Sequence, residues 1–147
     1  KKSQNIHSIQ DMTDKVLGAQ AGSSGYLNFE GQPELLKNQV KDQKANQYQS
    51  FNKALIDLKN DRIDALVIDS VYANYYLQSE GILNDYNVFS AGFESEAFAV
   101  GVRPADKTLL AALNQAFISL YQEGKFQEIS QKWFGEDVAT SQVKNQE

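Results

Sequence analysis

The sequence predicts an α/β fold with a mostly parallel sheet flanked by helices. Short apolar, strand-like segments alternate with segments of helical period through most of the chain. Ala65-Leu66-Val67-Ile68 is an unbroken apolar run, the pattern of a strand covered on both faces. Size agrees: 147 residues, 41% hydrophobic and 22% charged, suit one ordinary domain able to bury a core.

The elements follow in order. Residues 1–15 are polar, with Ile6, Ile9 and Met12 too sparse to define an element. Val16-Leu17-Gly18-Ala19 reads as a short buried strand ending in the polar stretch Gln20–Gly25. Tyr26, Leu27 and Phe29 suggest a helical turn interrupted at Gly31, and Pro33 with Leu35, Leu36 and Val40 a second helix. Gln43–Gln49 reads as a short edge strand. Ser50 is a good N-cap for a helix whose apolar stripe is Phe51, Ala54, Leu55 and Leu58, stopped by Asn60-Asp61-Arg62. After the strand at Ile63–Ile68, Val71–Gln78 reads as helix. Tyr86–Phe89 and Ala97–Val102 read as further strands. Asp106 is a plausible cap for the helix carrying Leu109, Leu110, Leu113, Ala116, Phe117 and Leu120. Gly124 breaks it, and a shorter helix with Phe126, Ile129 and Trp133 ends at Gly135. Residues 137–147 read as a frayed, disordered tail.

Composition removes several functions. Fourteen Lys and Arg against nineteen Asp and Glu leave a net charge of −5, which disfavours nucleic acid and polybasic membrane contact. No apolar run approaches the roughly 20 residues of a membrane-spanning helix. Lys1-Lys2-Ser3-Gln4-Asn5 is followed by no apolar signal-peptide core. There is no cysteine, and the single histidine, His7, lies in the polar lead-in and reads as a solvated surface residue. Thiolate chemistry, a serine–histidine relay and a multi-histidine metal site all lack their parts. No metal or cofactor is implied.

Ligands of open α/β sheets collect outside the carboxyl ends of the strands. Two polar clusters lie there, Gln20–Gly25 and Asp69-Ser70. Gly22-Ser23-Ser24-Gly25 leads from a strand into a helix start, where unpaired N–H groups and the helix dipole favour an anion. It is neither a P-loop nor a dinucleotide fingerprint. Ser23 or Ser24 could equally cap its own helix. Asp69 could hold an ammonium group by charge-assisted hydrogen bonds or cap the helix from Val71, although Ser70 could cap it unaided. An anion loop and a carboxylate at neighbouring strand ends match a zwitterion. An enzyme using Asp69 as general base lacks a separate proton donor. Tyr72, Tyr75 and Tyr76 read as core for at least two of the three.

These residues resemble the extracellular solute-binding proteins of amino-acid ABC transporters (family 3, the type II periplasmic-binding-protein fold). The matching segments are Val16–Ser24, Ala54–Asp69, Leu113–Phe117 and Glu123–Gly135, the last ending in Lys132-Trp133-Phe134-Gly135. The resemblance implies that Gly22, Ser23 and Ser24 bind a ligand α-carboxylate, that Asp69 binds its α-ammonium, and that Gln20 can face the ligand. At Gly25 relatives often carry a larger polar residue, so the amino acid taken stays open.

It also implies a division. Residues 1–96 would be the ligand-closing second lobe, and residues 97–136 a crossover strand and C-terminal helices of the first lobe. The chain would then be a fragment, and Arg103 does not match the family's carboxylate-binding arginine. The implied role is the substrate-binding component of a transporter for polar or charged amino acids, outside the cytoplasm, with or without a lipid anchor. Its implied partners are a free amino acid and the permease. A dehydratase-like enzyme on the same fold and a receptor's ligand-sensing domain are the alternatives. The C-terminal helices, lacking their cover, are expected to self-associate or swap between copies.

Overall fold

The computed structural model describes residues 1–145. The chain divides into two compact units, Lys1–Glu94 and a second from Ser95 onward. Each is described by itself.

The first unit is built on a parallel sheet of β1 (Leu17–Gln20), β2 (Ala45–Tyr48) and β3 (Ala65–Val67), in the order β2-β1-β3. Each strand leads into a helix: α1 (Ser24–Gly31), α2 (Phe51–Lys59) and α3 (Ser70–Ser79). Side chains alternate across the sheet, as the pleat requires. Leu17, Ala19, Ala65 and Val67 pack with Ile6, Met12, Phe29, Leu36 and Val40 on one face. Leu66 and Ile68 pack on the other with Leu55, Leu58, Ile63, Phe51, Tyr72 and Tyr76. Phe29 is fully buried, which stabilises α1 against the sheet by about 1.5–3 kcal/mol. Each strand is entered from a left-handed residue: Asp14 before β1, Asp42 and Gln43 before β2, and Asp61 before β3. Aspartate tolerates that conformation better than most side chains.

Four sequence expectations need correction here. Residues 33–40 form successive turns, not a helix, because the Asn38 N–H reaches back five residues to the Pro33 carbonyl at 2.9 Å. Leu36 and Val40 still reach the core. Residues 86–89 form no strand. Val88 and Phe89 are exposed, and Asn87 donates instead to the Ile6 carbonyl at 2.9 Å and meets His7 Nδ1 at 3.1 Å. Residues 97–102 form no strand and pair with none among the described residues, and Phe98 and Val100 face solvent. A strand without a neighbour leaves its backbone groups to water. Asp106 stands at the expected start of its helix, yet its carboxylate accepts from Arg103 Nε at 2.7 Å and makes no cap bond.

The second unit contains α4 (Lys107–Gln122), α5 (Lys125–Phe134) and α6 (Ser141–Asn145). The last lies in the stretch expected to be a disordered tail, of which residues 146 and 147 fall outside the described residues. Phe117 and Phe126 meet edge to face, with centroids 6.5 Å apart. Ser130 Oγ donates to the Glu136 carbonyl at 2.6 Å and accepts from the Val138 N–H at 2.9 Å, tying α5 to the chain that follows it. Among the described residues of this unit only Ser130 is buried. No helix among the described residues is long and apolar enough to cross a membrane.

Candidate functional site

Because all three strands are parallel and each runs into a helix, three helix N-termini gather at one edge of the sheet. Neighbouring strands stand about 4.8 Å apart. The loop after β1 is therefore adjacent to the chain after β3, and Gly22, Ser23, Ser24 and Asp69 come together as strand-end neighbours. The two polar clusters share one edge.

Ser23, not Ser24, caps α1. Its Oγ accepts from the Tyr26 N–H at 3.2 Å and donates to the Gln20 carbonyl at 2.8 Å. The hydroxyl proton of Ser23 is thus committed inside the loop. Gly22 sits at φ +70°, a conformation that turns the chain out of β1 and that side chains rarely adopt. Ser24 is exposed, and as the first residue of α1 it and Gly25 carry N–H groups with no acceptor inside the helix. What remains for a ligand on α1 is the Ser24 hydroxyl and these N–H groups.

Asp69 caps α3, with Oδ1 accepting from the Tyr72 N–H at 2.8 Å. Ser70 therefore does not cap unaided: it is already inside the helix, and the residue before it holds the non-helical backbone that a cap needs. Capping uses one oxygen of the carboxylate. Its Oδ2 takes no part in that bond, and Asp69 is only partly buried.

Gln20 turns toward α2. In a strand where Leu17 and Ala19 face one side, Gln20 faces the other, and its Oε1 accepts from the Phe51 N–H at 3.2 Å. Ser50 caps the same helix, accepting from the Lys53 N–H at 3.4 Å. The Phe51 and Tyr72 rings lie 5.3 Å apart, and Tyr72 Oη donates to Asn52 Oδ1 at 3.1 Å, joining the starts of α2 and α3.

The three N-termini are thus unlike in charge and availability. That of α3 already carries an anion, Asp69. That of α2 receives the neutral carboxamide oxygen of Gln20. That of α1 is capped by a neutral hydroxyl with N–H groups to spare, so an incoming anion is best accommodated there. A cation is best accommodated beside Asp69. The edge thus sets a helix N-terminus with a neutral cap one strand away from a carboxylate.

The Gln20–Phe51 bond was not legible in the sequence, which gave only Ser50 at the start of α2. Strand order was the missing information, since only the sheet places the end of β2 beside that of β1. An open polar depression lined by Thr13, Asp14, Asn38 and Asp42 lies at the opposite, strand-entry edge. No group of three or more metal-ligating side chains occurs among the described residues.

Known proteins share this architecture. A polar amino-acid ABC uptake transporter substrate-binding protein from Streptococcus thermophilus has a crystal structure matching 99% of this chain and 55% of its own, with 59% identity and a TM-score of 0.83. A substrate-binding protein of an ABC uptake transporter from Streptococcus pneumoniae, solved with bound histidine, matches 96% of this chain and 57% of its own, at 70% identity and a TM-score of 0.78. The ABC transporter arginine-binding protein 1 of Escherichia coli is 28% identical over 136 residues, which is 90% of this chain and 53% of that protein. The chain spans about half the length of the curated relatives it matches. Residues 3–136 match one family description throughout, and the chain belongs to the bacterial extracellular solute-binding proteins, family 3.

Proposed function

We propose that this chain is the ligand-closing lobe, with part of the partner lobe, of an amino-acid-binding component of an ABC uptake transporter, acting outside the cytoplasm. The observation that carries the reading is the pairing of the neutral-capped α1 N-terminus with the Asp69 carboxylate on adjacent strands. A free α-amino acid presents the complementary charges. Its carboxylate would lie on the Ser24 hydroxyl and the first N–H groups of α1, with Gly22 and Ser23 shaping that loop. Its ammonium would lie against Asp69 Oδ2. The histidine-bound relative at 70% identity supports a polar or charged amino acid as the ligand class.

Residues 1–96 form the closing lobe in this reading, and residues 97–136 belong to the other. Ligand contacts to both lobes would stabilise the closed state by their differential free energy. The closed form would then be what the permease receives. The relatives matched here are binding proteins, and we read this chain likewise as a binder, not an enzyme. A thermal-shift screen of the twenty amino acids on the full-length protein tests this. The expected result is a rise in melting temperature with one or a few polar or charged amino acids, each recovered chemically unchanged. No shift with any amino acid, or steady conversion of the ligand to product, would sink the proposal.

A further inference from the structure

We infer that Gln20 is the positioning residue of this site, acting through the protein and not through contact with the ligand. The inference rests on the amino-acid reading above. Gln20 is bonded at both of its carbonyl groups. Its main-chain oxygen accepts from Ser23 Oγ at 2.8 Å and from the Ser23 N–H at 3.2 Å. Its side-chain Oε1 accepts from the Phe51 N–H at 3.2 Å. One residue therefore holds the cap of α1 and the first residue of α2 together. The next peptide is anchored too, with the Ala21 N–H donating to the Tyr48 carbonyl at 2.8 Å.

The pleat makes this geometry available. Alternation sends the Gln20 side chain to the α2 face, and its length spans from the end of β1 to the start of the neighbouring helix. Phe51 carries one of the N–H groups that α2 leaves without an internal acceptor. Gln20 satisfies it with a neutral oxygen. Two consequences follow. The loop that offers its N–H groups to a carboxylate is held in register with the sheet, and the N-terminus of α2 is closed to that carboxylate, leaving α1 as its seat.

Two substitutions separate this role from direct contact. Gln20→Leu removes both the acceptor and the amide donor, whereas Gln20→Glu keeps an acceptor, removes the donor and adds a negative charge. Amide hydrogen exchange on the full-length protein without ligand gives the first readout. In the leucine variant the Phe51 N–H should exchange about tenfold faster or more, while β1 and β3 stay protected and so report a folded sheet. The glutamate variant should restore protection. Titration with the amino acid that shifts wild type most gives the second, in about 0.5 M salt, where the screening length of about 4 Å weakens the added charge. Affinity should fall at least tenfold in the leucine variant and recover mostly in the glutamate variant. Unchanged Phe51 exchange in Gln20→Leu would overturn the inference, and equal affinity losses in both variants would overturn it in favour of a direct ligand contact through Nε2. A wild-type protein that binds no amino acid overturns the functional reading instead, and the Phe51 exchange still decides the tie.

Discussion

Gly25 and Val67 stand so close that a methyl group on the glycine would lie 2.7 Å from Val67 Cγ1. Helix α1 thus rests directly on the end of β3, which brings the loop holding Ser23 and Ser24 beside the chain leading to Asp69. A side chain at Gly25 would force Val67 Cγ1 to give way. Gly25→Ala should lower unfolding stability by about 1–3 kcal/mol through overpacking. Val67→Ala opens space at the same point, so the double variant should be less destabilised than the sum of the singles. Denaturant titration of the four proteins measures this. Strict additivity would mean that the two residues do not press on each other.

The two tasks assigned to Asp69 separate by substitution. Asparagine caps about as well as aspartate, so Asp69→Asn should leave stability within about 0.5 kcal/mol, while Asp69→Ala should lose about 1 kcal/mol with the Tyr72 cap bond. Amino-acid affinity of the full-length protein should fall at least tenfold in both, because both remove the charge that we propose holds the ammonium. An Asp69→Asn protein that binds as well as wild type would leave Asp69 a cap and nothing more. Calorimetry and thermal melts together decide it.

Asp57 links acid stability to the junction of β2 and α2. Arg62 Nη1 donates to Oδ1 at 2.8 Å and Tyr48 Oη donates to Oδ2 at 2.9 Å. The Arg62 bond, then the Tyr48 bond, hold the carboxyl below its ordinary value. A depressed folded-state value means the ionised form is favoured by folding. The contribution is therefore present above the unfolded value and is lost as pH falls through the folded one. Asp57→Asn should flatten the loss of stability below about pH 4 and leave the slope between about pH 6 and 8 unchanged. Asp11 and Asp61 are lowered as well, so the acid slope should shrink without vanishing. Thermal melts across the acid range give the comparison, and an unaltered acid slope would remove Asp57 from the account.

The second unit exposes Leu109 by 51%, Ile129 by 52% and Trp133 by 48%, with Leu110 and Leu120 also in solvent. Large apolar side chains left in solvent along neighbouring helices favour a partner. We propose that this chain on its own self-associates or exchanges these helices between copies. Sedimentation velocity at micromolar to high-micromolar concentration should show species above monomer that rise with concentration. Leu109→Glu with Ile129→Lys should return them to monomer, and a wild-type chain that sediments only as monomer would contradict the expectation.

Several elements were legible without coordinates because their causes are local. The Ser50 cap and the Phe51–Leu58 stripe are written within ten residues, and α2 forms where they predict. Alternating strands and helices announced the parallel sheet, and Ser23 or Ser24 was legible as the cap of α1. The strands expected at 86–89 and 97–102 failed for a different reason. Their composition suits a strand, but a strand exists only through its neighbour, and none pairs with either among the described residues. The helix expected from Pro33 failed because one backbone bond, Asn38 to Pro33, closed a wider turn.

The sequence by itself determined the fold class, the absence of cysteine chemistry, and the residues Gln20, Gly22, Ser23, Ser24 and Asp69 as candidates for one site. Tertiary structure decided how those residues divide the work. Sheet order put the starts of α1, α2 and α3 on one edge, and hydrogen-bond competition then assigned Ser23 and Asp69 as caps and turned Gln20 toward Phe51. Spacing along a chain shows which groups can reach a helix end. Which of them gets there depends on the neighbours the fold supplies, because each N–H is satisfied by whichever acceptor the packing holds nearest.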